Sequence, residues 1–166
     1  MLEGIKFAVL TISDKGYKGE REDKSGPLLR NIIIENQGEV RIMKIIPDER
    51  ELIEKELKEI ADKEEVDIIL TTGGTGFSPR DVTPEATKAI IEREVPGLAE
   101  AMRLKSLEIT PYAMLSRAIA GIRKRTLIVN LPGSPKGAKE NFEIILPALK
   151  HGIEILKSQT SECGRE

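Results

Sequence analysis

Val66-Asp67-Ile68-Ile69-Leu70 runs into Thr71-Thr72-Gly73-Gly74-Thr75-Gly76-Phe77-Ser78-Pro79-Arg80-Asp81-Val82, and then into Thr83-Pro84. The first five residues are apolar except Asp67. A short, nearly continuous apolar run of this kind reads as a strand in a sheet covered on both faces. Three glycines in four residues then permit a tight turn with close backbone approach. Thr83 reads as a helix cap with Pro84 at the first helical position, a standard start signal. Strand, glycine-rich turn and helix together make one step of an α/β fold.

The same step recurs on either side. Ile5–Ile12 is an apolar strand ending in Ser13-Asp14-Lys15-Gly16, followed by a polar loop through Lys24. Ser25 reads as the cap of a helix with Leu28, Leu29, Ile32 and Ile33 on one face, closed by Gly38. Val40–Ile46 is a second strand, ended by Pro47. Asp48 and Glu51 have the spacing of a capping box for a helix to about Asp62. Beyond the quoted stretch, the Thr83 helix stops before Pro96. Further helical stretches are predicted over 98–107 and after Pro111. Ala118–Ile122 and Thr126–Leu131 flank Arg123-Lys124-Arg125 as a hairpin. A last helix covers 138–157, with a kink or break at Pro147. The class is α/β, mostly parallel, with a hairpin-derived antiparallel strand. Residues 1–157 form one domain and residues 158–166 a polar, frayed tail.

Composition removes several functions. The 166 residues carry 26 Lys and Arg against 28 Asp and Glu, a formal net charge of -2. That balance disfavours a general nucleic-acid binder. One cysteine, Cys163, leaves no disulfide framework, redox pair or thiolate cluster. One histidine, His151, excludes a His-His zinc site and disfavours a Ser-His-Asp triad. No basic segment with a following apolar run opens the chain, and no apolar stretch is long enough for a membrane span. A cytoplasmic location is expected.

In open α/β sheets, ligands bind beyond the carboxyl ends of the strands. Ser13-Asp14, Asp48, Thr71–Asp81 and Asn130–Lys136 occupy such ends. The Gly73–Gly76 turn is either an anion nest of backbone N–H groups or an ordinary turn. It has neither the Gly-Lys-Ser/Thr ending nor the spacing of the common nucleotide-binding loops. Asp81 beside a phosphate would repel it unless a cation such as Mg²⁺ lay between; the alternative is a favourable place near a helix N-terminus. Asp48 divides in the same way between cation ligand and plain N-cap. Pro132-Gly133-Ser134-Pro135-Lys136-Gly137 is a second candidate phosphate loop or a rigid turn. Arg117 either binds an anion or pairs with a carboxylate. Tyr17, Arg21 and Lys24 lie in a loop that either closes over a ligand or is simply a solvated charge run.

Taken together, Thr71–Thr87 (TTGGTGFSPRDVTPEAT), Met114-Leu115-Ser116-Arg117, Asn130–Gly137 and Ile46-Pro47-Asp48 resemble, in order, segments of the Mog/MoaB family of molybdenum-cofactor proteins. The G domains of gephyrin and of its plant counterpart are similar. The resemblance covers Ile5 to about Leu156. It implies a three-layer α/β/α molybdopterin-binding fold, a homotrimer, and Mg²⁺-dependent transfer of AMP from ATP to the phosphate of molybdopterin, releasing pyrophosphate. It further implies Asp48 and Asp81 as the essential, metal-holding carboxylates. By the same resemblance, Ser13, Asp14, Thr72, Gly73, Gly74, Thr75, Gly76, Ser116, Pro132, Gly133, Ser134 and Lys136 contact nucleotide or pterin phosphate, and a molybdate-inserting MoeA-type protein is the downstream partner. The competing readings are a molybdopterin-binding protein without catalysis and a trimerising scaffold.

Overall fold

The computed structural model describes residues 1–157. In chain order the elements are β1 (Lys6–Ile12), α1 (Asp14–Tyr17), α2 (Ser25–Glu35), β2 (Glu39–Ile46), α3 (Arg50–Asp62), β3 (Ile68–Thr72) and α4 (Thr83–Ile90). Then follow β4 (Arg93–Glu94), α5 (Pro96–Ser106), a 3-10 helix (Pro111–Leu115), β5 (Ala120–Arg123), β6 (Thr126–Leu131) and α6 (Pro135–Leu156). The polar tail expected over 158–166, with Cys163, lies outside the described residues.

One six-stranded sheet has the order β2-β1-β3-β6-β5-β4. β2, β1, β3 and β6 are parallel, while β5 runs antiparallel to β6 and the edge strand β4 antiparallel to β5. The three-layer arrangement follows from side-chain alternation. Phe7 and Val9 of β1, with Ile68 and Leu70 of β3, pack on one face against Leu29, Ile33, Met102, Phe142 and Leu149 from α2, α5 and α6. Ala8, Leu10 and Ile69 point to the other face, against Ile53, Leu57, Ala86 and Ile90 from α3 and α4. The Phe7 and Phe142 rings meet edge to face with centroids 6.2 Å apart. Both faces are therefore covered, as the apolar character of β3 requires.

Several local expectations shift. β3 begins at Ile68 and carries Thr71 and Thr72 inside the strand, so the loop opens at Gly73. Asp67 sits just outside, accepting the Lys6 N–H at 2.8 Å and pairing with Lys157 Nζ at 3.0 Å. The chain leaves α2 through Gln37 at φ 68, so Gly38 does not supply the left-handed turn; a side chain there would crowd Ile33 and Leu2. The Thr83 helix ends at Ile90, and Arg93–Glu94 then forms the short edge strand β4. The hairpin turn is Lys124-Arg125, with Arg123 in β5 bound to Asp62 at 2.8 Å. Finally, α6 starts at Pro135 and runs unbroken through Pro147 to Leu156. Pro147 is on the exposed side, where water can satisfy the carbonyl left without an N–H.

Candidate functional site

The parallel register aligns the strand ends. Ile12 pairs with Ile46, Thr11 with Thr72, and Thr72 with Leu131, so the loops that follow β1, β2, β3 and β6 meet on one rim. There they enclose a cavity of about 790 Å³. Ser13, Asp48, Thr72, Gly73, Gly74, Asp81, Gly133 and Ser134 line it. Arg21 and Lys24, from the polar loop before α2, also reach its wall. Asp14, Thr75, Gly76, Ser116, Pro132 and Lys136 do not line it.

The two glycine loops are fastened to each other. Thr72 Oγ1 donates to the Pro132 carbonyl at 2.7 Å, and Ser25 Oγ to the Gly133 carbonyl at 2.8 Å. Gly73 has φ 107 and lies against the Ile12 carbonyl; Gly74 has φ 69 and lies against Thr83 Oγ1. A side chain at Gly76 would reach to 2.9 Å from an Asp81 carboxylate oxygen. The glycines thus answer crowding within the protein as well as the need for an open anion surface. Thr83 is not the helix cap expected of it. It is the first residue of α4, and its hydroxyl donates to the Gly73 carbonyl at 2.9 Å.

Beneath this turn is a buried polar network that sequence reading missed. Asn130 is fully buried, and its amide donates to Thr71 Oγ1 at 3.0 Å and Thr87 Oγ1 at 2.9 Å. Its carbonyl oxygen accepts the Ile119 N–H at 3.2 Å. A lone Asn in an otherwise apolar strand, opposite Thr71 in register, is the only signal the sequence offers for it.

Asp48 is not an N-cap either. Glu49 is the residue before α3, and no side chain caps that helix. Asp48 Oδ2 accepts the Asp14 N–H at 2.8 Å, and Asp14 Oδ1 accepts the Asp48 N–H at 3.0 Å. Arg80 grips the same Asp14 carboxylate through Nε and Nη2, each at 3.0 Å, and reaches Glu49 at 2.8 Å. The Arg80 hydrogen bonds hold the Asp14 carboxyl below its ordinary range. Burial pushes Asp48 the other way, and the charges of Asp14 and Asp81 add to the rise. An acid kept short of water beside other acids favours a neutralising cation.

Asp48 Oδ2 and Asp81 Oδ2 are engaged, the latter by the Ser78 N–H at 3.1 Å. No group of three or more His, Cys, Asp or Glu residues with metal-binding geometry occurs among the described residues. Two carboxylates alone suit Mg²⁺, which keeps waters and shares its remaining positions with substrate phosphates. The donor set therefore fits that ion. Ser134 caps α6 by accepting the Gly137 N–H at 3.1 Å, which leaves its own proton to donate. Lys136 is largely exposed, 3.9 Å from Glu140. Ser116 Oγ accepts the Ala118 N–H at 3.3 Å.

Residues 8–151 match the family described as a probable molybdopterin binding domain. The chain belongs to that family. Within the molybdopterin-binding domain family it is 42% identical to the molybdopterin adenylyltransferase of Helicobacter pylori J99, covering 93% of this chain and 89% of that protein. It is 47% identical to the Drosophila melanogaster molybdenum cofactor synthesis protein cinnamon, covering 96% of this chain but only 27% of that longer protein. The crystal structure of the Thermus molybdopterin biosynthesis enzyme MoaB superposes with a TM-score of 0.88 at 49% identity, covering 95% of this chain and 99% of that one. The Thermus structure shares the α/β architecture described above, as the sequence resemblance implies.

Proposed function

We propose that the chain is a molybdopterin adenylyltransferase. The observation that carries this reading is the convergence of Asp48, Asp81 and the Thr72–Gly74 and Gly133–Ser134 loops on one cavity. An acid pair for a cation and two sets of donors for anions are what a reaction between two phosphate-bearing substrates needs.

In the proposed reaction a phosphate oxygen of molybdopterin attacks the α-phosphorus of ATP. The bond from that phosphorus to the pyrophosphate oxygen breaks, giving adenylyl-molybdopterin and pyrophosphate. No covalent enzyme nucleophile is required. The chain's own contribution is orientation: the glycine loops and Ser134 hold phosphate oxygens, while Asp14 and Arg80 fix the backbone around Asp48. Asp48 and Asp81 would hold Mg²⁺, which when bound offsets the negative charge of the triphosphate. Arg21 and Lys24, on the cavity wall, add positive charge where a second anion would enter. This reading keeps Asp14, Thr75, Gly76, Ser116, Pro132 and Lys136 as phosphate-proximal candidates, and residues 1–157 as one functional domain acting in the cytoplasm with a MoeA-type protein downstream. Among the described residues no helix is long and apolar enough to cross a membrane.

The test is incubation with molybdopterin, ATP, Mg²⁺ and pyrophosphatase, with chromatographic detection of adenylylated pterin. Product formation that depends on Mg²⁺ is expected. Tight molybdopterin binding with no product would replace this reading by the binding-only one.

A further inference from the structure

Arg117 stands outside the cavity, yet much of its bonding is directed at the segment that carries Asp81. Its N–H donates to the Thr75 carbonyl at 3.0 Å. Its guanidinium donates through Nε to the Gly76 carbonyl at 2.8 Å, through Nη2 to the Asp81 carbonyl at 2.7 Å, and through Nη1 to Glu85. Glu85 Oε2 is buried with no hydrogen-bond partner, so Arg117 is what offsets that carboxylate's charge. Arg117 is itself held in place. Arg103 Nη1, from α5, donates to the carbonyls on either side of it, Ser116 at 3.3 Å and Ala118 at 2.7 Å.

We propose that Arg117 is a positioning residue for the nucleotide loop and Asp81, a role that rests on the adenylyl-transfer reading above. With three of its five N–H donors spent on two backbone carbonyls and a carboxylate, the side chain favours pairing over anion binding. Its effect on chemistry is indirect. A carbonyl turned toward Arg117 cannot turn toward a phosphate, where it would repel. Because each peptide unit is planar and trans, fixing the Thr75 and Gly76 carbonyls also fixes the following amides of Gly76 and Phe77 on the opposite side. Anchoring the Asp81 carbonyl fixes the backbone from which its carboxylate projects. Lysine cannot reproduce this, because a point charge has no planar fork with which to bridge separate acceptors.

The experiment compares wild type with Arg117→Lys and Arg117→Gln by three readouts: amide exchange, calorimetric titration with MgATP, and steady-state kinetics. Exchange over residues 75–82 should quicken by about tenfold or more in both variants, with β1 and β3 as protected as before. MgATP should bind more weakly, and kcat should fall by about 10- to 100-fold, with KM for molybdopterin changed far less. Lysine should rescue little of this. Wild-type exchange, MgATP affinity and kcat in Arg117→Gln would overturn the proposal. So would faster exchange spread evenly over the whole sheet, the mark of a purely structural role. If wild type forms no adenylylated product while the local exchange and MgATP changes appear, the reaction reading fails and the positioning role stands.

Discussion

Asp48, proposed above as a cation ligand, sits where its charge costs the fold. Burial, with the nearby charges of Asp14 and Asp81, raises its pKa above the ordinary 3.8. The folded state therefore binds its proton more tightly than the unfolded chain, and stability falls as pH rises from about 4 through the raised value. Asn cannot ionise, and its amide oxygen can still accept the Asp14 N–H. We predict that Asp48→Asn matches wild type near pH 3 and melts higher near pH 7, as read by thermal denaturation across that range. Its turnover, and that of Asp81→Asn, should nonetheless fall about 100-fold or more. Wild-type turnover in either would remove that residue from the mechanism. Gly74 makes a poor probe of ligand binding. At φ 69, with Thr83 Oγ1 where a Cβ would go, Gly74→Val would disturb the turn before any nucleotide met it. Gly74→Ala should lower unfolding free energy by about 1–2 kcal/mol from backbone conformation alone, measured in urea. Ser134→Ala is cleaner, costing roughly 1 kcal/mol as a lost cap, separable from any loss of ATP affinity.

At the scale of elements, α6 carries a proline that a helix interior should not tolerate. Pro147 faces outward, where the carbonyl that lacks an N–H partner is open to solvent. Replacing it with Ala restores one intrahelical bond at a position with room for it. We predict about 1–3 kcal/mol of added stability for Pro147→Ala, seen as a higher urea midpoint with an unchanged slope. The strands were legible because buried parallel strands must be apolar and the loops between them must not be. Helix ends were less so. Thr83, Asp48 and Ser25 all look like caps, since a short polar side chain before a helix has the same local appearance whether it turns to the helix or away. Here each turns away: Thr83 to Gly73, Asp48 to Asp14 and Ser25 to Gly133. These bonds span 10 to 108 positions in the chain, beyond the reach of local pattern. The candidate acids could be picked out by their place at strand ends, whereas Asn130, Arg80 and Arg117 could be understood only once distant segments met.

For the whole molecule, the family resemblance implies a trimer, and the surface offers a basis for association. Leu104, Leu107, Ile109, Tyr112, Met114 and Leu115 are exposed in one stretch running from the end of α5 through the following turn into the 3-10 helix. Light scattering at micromolar concentration should give three times the chain mass; a monomer would contradict this. The position of β6 has a consequence for biosynthesis. β3, with every residue buried, lies between β1 and β6, yet β6 leaves the ribosome only after the intervening residues 73–125 have been made. Until then the nascent chain presents an unpaired apolar strand edge, the kind of template on which other chains aggregate. The hairpin that joins β5 to β6 eases the problem, because its two strands can pair locally and dock onto β3 as one unit. The β3 edge is thus closed only once Thr126–Leu131 has been made, whatever the order in which the rest of the sheet assembles.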